Sequence, residues 1–249
     1  MKKLFYSIAL SVIVAAGSSC KKVDNYAAPN VTLKGAVVDA STGKSIQTEQ
    51  GSGTRIKLLE ISYSSNPTPF YISSYQDGTY NYTKLFAGKN VISAEGPFVP
   101  LVQVDDAGKT IVDKSQTVDV KDVTTVNFSV EPFLRIEWVG EPVINPDGTI
   151  TTSFKITRGT SNPAFQQDVS DLAVFVNSNK YVGNNNYDNR YTPKLNGADA
   201  NSSVGKTISL TTTGGALPGK RSYFLRVGAR ISYGLNYYNY TDVKTVTLP

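Results

Sequence analysis

From Val31 onward the chain is cut by turn signals at intervals too short for helices, and the stretches between them alternate. Val31, Leu33, Gly35 and Val37 share one parity, Thr32 and Lys34 take the other, and the run stops at Asp39-Ala-Ser-Thr-Gly43. A period of two places successive side chains on opposite faces of a strand, and a cluster of Asp, Ser, Thr and Gly ends it in a turn. The same pattern predicts strands over residues 55–62, 70–75, 80–85, 89–94, 110–113 and 123–130, separated by Asn66-Pro67, Asp77-Gly78, Ala87-Gly88 and Ala107-Gly108. No stretch holds a helical period for three turns. Strands this closely spaced leave no room for helical crossovers, so the expected fold is all-β, built of antiparallel sheets packed as sandwiches.

The pattern restarts at Glu131-Pro132-Phe133, where the proline would interrupt a central strand. Two β-sandwich domains are therefore expected, over residues 31–132 and 133–249. The second has strand signals at 134–140, 149–157, 172–177, 206–210, 222–233 and 244–248, with a turn at Asn145-Pro-Asp-Gly148. At 249 residues, 40% of them apolar, the chain is long enough to give each domain a core. Trp138 alternates with Leu134 and Ile136 and is expected in the second core.

The N-terminus reads as an address. Lys2-Lys3 precede a 13-residue apolar run, Leu4 to Ala16, then Gly17-Ser18-Ser19 and Cys20. This is a secretory signal over residues 1–19, too short for a membrane span of roughly 17–25 residues. Small residues before Cys20, the only cysteine in the chain, resemble the lipobox of bacterial lipoproteins, although Gly17 stands where that motif usually has Leu. The resemblance implies acylation of Cys20, a tether over residues 20–30, and an outer-membrane anchor with the protein facing outside. The alternative is an ordinary signal cleaved nearby, which would leave a lone thiol in an oxidising compartment.

Leu33-x-Gly35-x-Val37-x-Asp39-x-x-Thr42-Gly43-x-x-Ile46, with Asp77-Gly78-x-Tyr80 and Leu85-Phe86-Ala87-Gly88, resembles the transthyretin-like, or carboxypeptidase-regulatory-like, sandwich. Tyr223-x-Leu225-Arg226-Val227-x-Ala229 resembles the penultimate core strand of fibronectin-type-III sandwiches, which implies an immunoglobulin-like second domain. Signal, tether and the two domains, with Glu131-Pro132-Phe133-Leu134 between them, together resemble two-domain surface lipoproteins of Bacteroidota of unassigned function. These are often encoded beside starch-utilisation-system-like glycan importers. The resemblance implies a setting of glycan capture and carries over no catalytic or binding residue.

Chemistry-bearing residues are sparse. The chain has no histidine, which excludes Ser-His-Asp and Cys-His catalysis and His-ligated zinc or haem. Asp77, Asp105, Asp106, Asp147 and Asp188 lie in turn-like sequence, where Asp bonds local backbone. Asp105-Asp106 with Asp113 lacks the spacing of a calcium loop. No catalytic residue, metal or cofactor is expected. Lys and Arg are scattered in a chain of net charge +5, so nucleic acid is not an expected partner.

Two aromatic-amide clusters carry the functional reading. Tyr181 to Tyr191 is a polar loop containing Asn185 and Tyr187, and Tyr233 to Tyr240 contains Tyr237, Tyr238 and Asn239. A sugar presents flat apolar faces ringed by hydroxyls, which suits aromatic planes beside amides. Asn185, Tyr187, Tyr191, Tyr237, Tyr238, Asn239 and Tyr240 are therefore the candidate glycan-binding residues. Tyrosines pairing across strands would give the same composition. The expected function is a non-catalytic accessory in glycan capture or uptake. The alternative is a structural or protein-binding module of an outer-membrane importer that binds no glycan itself.

Overall fold

The computed structural model describes residues 27–249; the signal, Cys20 and most of the tether lie outside the described residues. The first ten strands are β1 (Val31–Asp39), β2 (Arg55–Glu60), β3 (Phe70–Ser73), β4 (Thr79–Leu85), β5 (Gly88–Glu95), β6 (Val102–Val104), β7 (Thr110–Asp113), β8 (Gln116–Val120), β9 (Val123–Thr125) and β10 (Phe128–Val130). One sheet runs β3-β2-β5-β8, antiparallel throughout. The other is centred on β1, antiparallel to β4 and parallel to β9 and β10. Leu33, Val37, Ile56, Tyr80, Ile92 and Phe128 fill the space between them.

The segment expected as one strand over 123–130 is two short ones. A Cβ on Gly35 would lie 1.8 Å from the Val126 carbonyl oxygen, so only glycine lets β1 approach there. The buried Tyr80 hydroxyl donates to that same oxygen at 2.6 Å, and the Asn127 side chain accepts from Ala36 N–H. The ladder breaks at Val126 and resumes in the same register, with Thr32 opposite Val123 and Val37 opposite Phe128.

The second domain contains β11 (Leu134–Trp138), β12 (Val143–Ile144), β13 (Ile150–Arg158), β14 (Val169–Asn177), β15 (Lys194–Asn196), a one-turn helix α1 (Gly197–Ser202), β16 (Thr207–Thr211), β17 (Arg221–Ile231), β18 (Asn239–Tyr240) and β19 (Lys244–Leu248). β13 sits between β11 and β16 and also pairs with β12. β15-β14-β17 forms the opposing sheet, with β18 and β19 pairing the far edge of β17. Ile150, Phe154 and Ile156 meet Leu172, Val174, Val176, Leu225 and Val227 in the core.

The second sheet is buried on both faces. Ala173 and Phe175 point away from the sandwich core and are 2% and 0% exposed, packed with Val182, Tyr238 and Tyr240. This second layer is where the first domain docks. None of the helices described is long and apolar enough to cross a membrane.

Candidate functional site

The outer face of β17 carries Arg226, a guanidinium 1% exposed. A cation this deep is stable only if every donor finds an acceptor. Nε donates to Thr241 O at 2.9 Å, Nη1 to Thr48 O at 2.8 Å and Nη2 to Gln76 O at 3.2 Å. Thr48 and Gln76 belong to the first domain, so one side chain pins the two domains together. The guanidinium also lies 4.1 Å from the centre of the Tyr240 ring. Burial lowers its pKa to about 10, which leaves it charged at neutral pH.

Tyr240 continues the seam. Its hydroxyl donates to Glu49 Oε2 at 2.6 Å and accepts from Asn184 N–H, while Glu49 Oε1 accepts from Asn185 N–H at 2.5 Å. Burial first, then the adjacent Glu49 side chain, raise the Tyr240 phenol well above its ordinary value and keep it a donor. Asn239 donates to Pro97 O at 2.9 Å and accepts from Leu134 N–H at 3.1 Å. At the rim, Arg135 grips Asp39 through Nε at 2.5 Å and Nη2 at 2.9 Å. Burial pushes the Asp39 carboxyl up, but the bonds from Arg135 and Ser41 outweigh it and hold it below its usual value.

Concavities of differing chemistry open along this seam. A groove of about 760 Å³ runs between the loop after β1 and the edge strand β11. The indole of Trp138 lines it, as do Gln47, Arg135, Glu137 and Asp242. Trp138 Nε1 donates to Asp242 O at 3.1 Å and Lys244 Nζ lies 5.6 Å from the ring centre, which fixes the indole at the open edge of the sandwich. A cleft of about 360 Å³ lies under the 233–237 loop, and a recess of about 250 Å³ gathers Gln50, Gln76, Asn179, Tyr181, Asn185 and Asn186. No group of three or more His, Cys, Asp or Glu side chains among the described residues is placed to hold a metal ion.

The first domain matches a family model described as the N-terminal domain of a protein of unknown function, DUF3823, over residues 31–130, and the matching C-terminal domain model covers residues 138–245. A DUF3823 family protein from Bacteroides uniformis is 32% identical, with a TM-score of 0.81 over 89% of this chain and 100% of its own. The chain belongs to the DUF3823 family. A second protein from Bacteroides uniformis, called a "putative carbohydrate binding protein", shares the two-domain fold at 23% identity and a TM-score of 0.69, covering 88% of this chain and 100% of its own. A DUF3823 protein from Parabacteroides merdae does so at 20% identity and a TM-score of 0.64, covering 89% of this chain and 100% of its own. No curated protein matches the chain.

In this DUF3823 chain the seven candidate residues do not form one surface. Tyr238, Tyr240 and half-buried Tyr187 surround Phe175, with ring centres 5.3–6.0 Å from it. The Tyr238 hydroxyl bonds Asp171, and the Tyr187 hydroxyl accepts from Lys194 at 2.6 Å. Tyr191 is buried in the sandwich core. Asn239 and Tyr240 border the large groove, but their polar atoms are committed to the seam. Asn185 lines the amide recess and bonds Ser52 and Glu49. Tyr237 alone reaches the cleft under its own loop.

The expectation of a composite exposed site at the loop tips is thereby corrected: first-domain residues engage Asn185, Asn239 and Tyr240, while the second domain's own residues pack around Tyr187, Tyr191 and Tyr238. Adjacent Tyr237 and Tyr238, in the loop just before β18, enter different surroundings, Tyr237 the cleft and Tyr238 the packed layer around Phe175. Trp138, expected in the core, only packs against its margin and is half-exposed toward the groove. Two signals in the sequence marked the doubly buried sheet. Leu172-Ala-Val-Phe-Val176 is an apolar run without alternation, and Arg226 interrupts an apolar strand.

Proposed function

We propose that this chain is a lipid-anchored outer-membrane protein, facing outside, that captures glycan without cleaving it and holds the sugar in the groove beside Trp138. The observation that carries this reading is the composition of that groove. It has the volume of a ligand site, within the usual range of about 300–1,000 Å³. It brings to one groove along the edge of β11 the one indole in the chain and two exposed carboxylates, Asp242 and, from the opposite face of that strand, Glu137, whose side chains make no hydrogen bond or ion pair among the described residues. An aromatic plane flanked by free acceptors answers the apolar faces and the hydroxyls of a sugar ring. The name of the 23% identical relative is in keeping with this reading, though that likeness itself speaks to the fold. The anchor rests on the sequence of residues 1–20.

Glycan-array binding by the intact protein, followed by affinity electrophoresis of variants, tests it. Trp138→Ala and Asp242→Ala should both lose retention, whereas Tyr238→Ala should affect stability. Asp242 is exposed, so its variant separates lost binding from lost folding. If the folded parent retains no glycan, the reading as a protein-binding module of an importer replaces this one. For the anchor, Cys20→Ala should release the protein from the membrane fraction or leave it unprocessed.

A further inference from the structure

The smaller cleft has a different chemistry from the Trp138 groove. Its floor is made of Phe98, Leu101 and Phe133, which are 1%, 6% and 3% exposed. Tyr233 and Tyr237 wall one side, and Leu235 stands at the lip with 54% of its surface exposed. The lip is a built turn. Gly234 and Asn236 hold φ of 56° and 54°, Asn236 N–H donates to Tyr233 O at 3.0 Å, and the Tyr233 ring packs edge-on against Phe133 and Phe165 at 5.4 and 5.2 Å. A large apolar side chain displayed on an ordered turn, over an apolar floor, marks a surface that gains by being covered.

The opposite wall is the outer face of β2 and β5, and it supplies the charge. Arg55 Nε and Nη2 both donate to Glu95 Oε2, at 2.8 and 2.6 Å, so the one carboxylate lining the cleft is already engaged. The Arg55 guanidinium also lies 4.0 Å from the centre of the Tyr71 ring. Lys57, on the same face, has no hydrogen-bond or ion-pair partner among the described residues and leaves the wall net positive. Lys57 offers an ammonium beside a floor that is apolar throughout, which an anion with an apolar body answers on both counts; the Tyr233 and Tyr237 hydroxyls add polar groups on the facing wall, and a bare anion would leave the floor wet. We propose that this cleft is a second binding site, for a small amphipathic carboxylate, with its apolar body on Phe98, Leu101 and Leu235 and its carboxylate at Lys57. This inference does not depend on glycan binding in the groove.

Isothermal titration of the intact protein with octanoate and 4-phenylbutyrate, each beside its primary amide, tests the proposal. The acids should bind about tenfold or more tightly than the amides, the size expected of one charge-assisted hydrogen bond. Lys57→Met keeps the aliphatic stem and should bring acid binding down to the level of the amide while leaving the amide unchanged. Leu235→Asn, at an exposed position, should weaken both. Equal affinity for acid and amide, an unchanged acid affinity in Lys57→Met, or no binding of either acid would overturn it.

Discussion

One strand, β17, serves two regions of the molecule by opposite rules. On one face Leu225, Val227 and Ala229 enter the sandwich core, where any neighbour of the right volume suffices and the alternation itself says which side is inside. On the other face Arg226 enters the seam, where stability depends on particular carbonyl oxygens up to 178 residues away along the chain. An apolar core follows from a local pattern. A polar seam follows from partners that the local pattern does not contain.

The sharpest way to break this comparison is Arg226→Ala. It strands the carbonyls of Thr48 and Thr241, takes one donor from Gln76 O, which keeps its bond from Thr48 N–H, and opens a hole against Tyr240, and should cost about 3–5 kcal/mol. That rivals the loss of about 2–5 kcal/mol expected for Leu225→Ala in the core. Chemical denaturation measures both, and a loss below about 1 kcal/mol for Arg226→Ala would mean that the seam is passive. Glu49→Ala should cost less, about 1–3 kcal/mol, by leaving the Tyr240 hydroxyl and Asn185 N–H without their acceptor. Tyr240→Phe should cost less in the Glu49→Ala background than in the parent, since the hydroxyl has already lost that acceptor and only its bond from Asn184 N–H remains to be removed.

The smallest effect is expected at the rim. Asp39 has its folded pKa below its unfolded value, so its pairing with Arg135 stabilises the protein above the ordinary carboxylate range. That contribution is lost as the pH falls through the folded value. Asp39→Asn should therefore be less stable than the parent at neutral pH and lose less stability on acidification. Denaturation midpoints measured from neutral pH down to about pH 3 would show the two curves converging.

How legible the molecule was follows the same division. The strand signals at 110–113 and 244–248 coincide with β7 and β19, because each is a short run bounded by turn residues. β8, Gln116–Val120, and β15, Lys194–Asn196, carry no clear strand signal because they are edge strands, largely polar and exposed. The parallel pairs of β1 were also hidden, since nothing near Thr32 or Val37 names Val123 or Phe128 as a partner. The tyrosine clusters read as a display of rings because the groups that cover them, Glu49 for Tyr240, Phe175 and Asp171 for Tyr238 and the sandwich core for Tyr191, do not lie beside them in sequence. The alternation of Trp138 with Leu134 and Ile136 puts it on the inward face but does not reveal that β11 is an edge.

Because the chain has a single tryptophan, its fluorescence reports on the groove with no competing signal. Titration of the intact protein with the glycan that it retains should change Trp138 emission saturably, with the midpoint found by electrophoretic retardation, and Glu137→Ala should move both midpoints to higher glycan concentration. Glycan retention with unchanged tryptophan emission, or a Glu137→Ala variant indistinguishable from the parent, would place the sugar elsewhere and contradict the account.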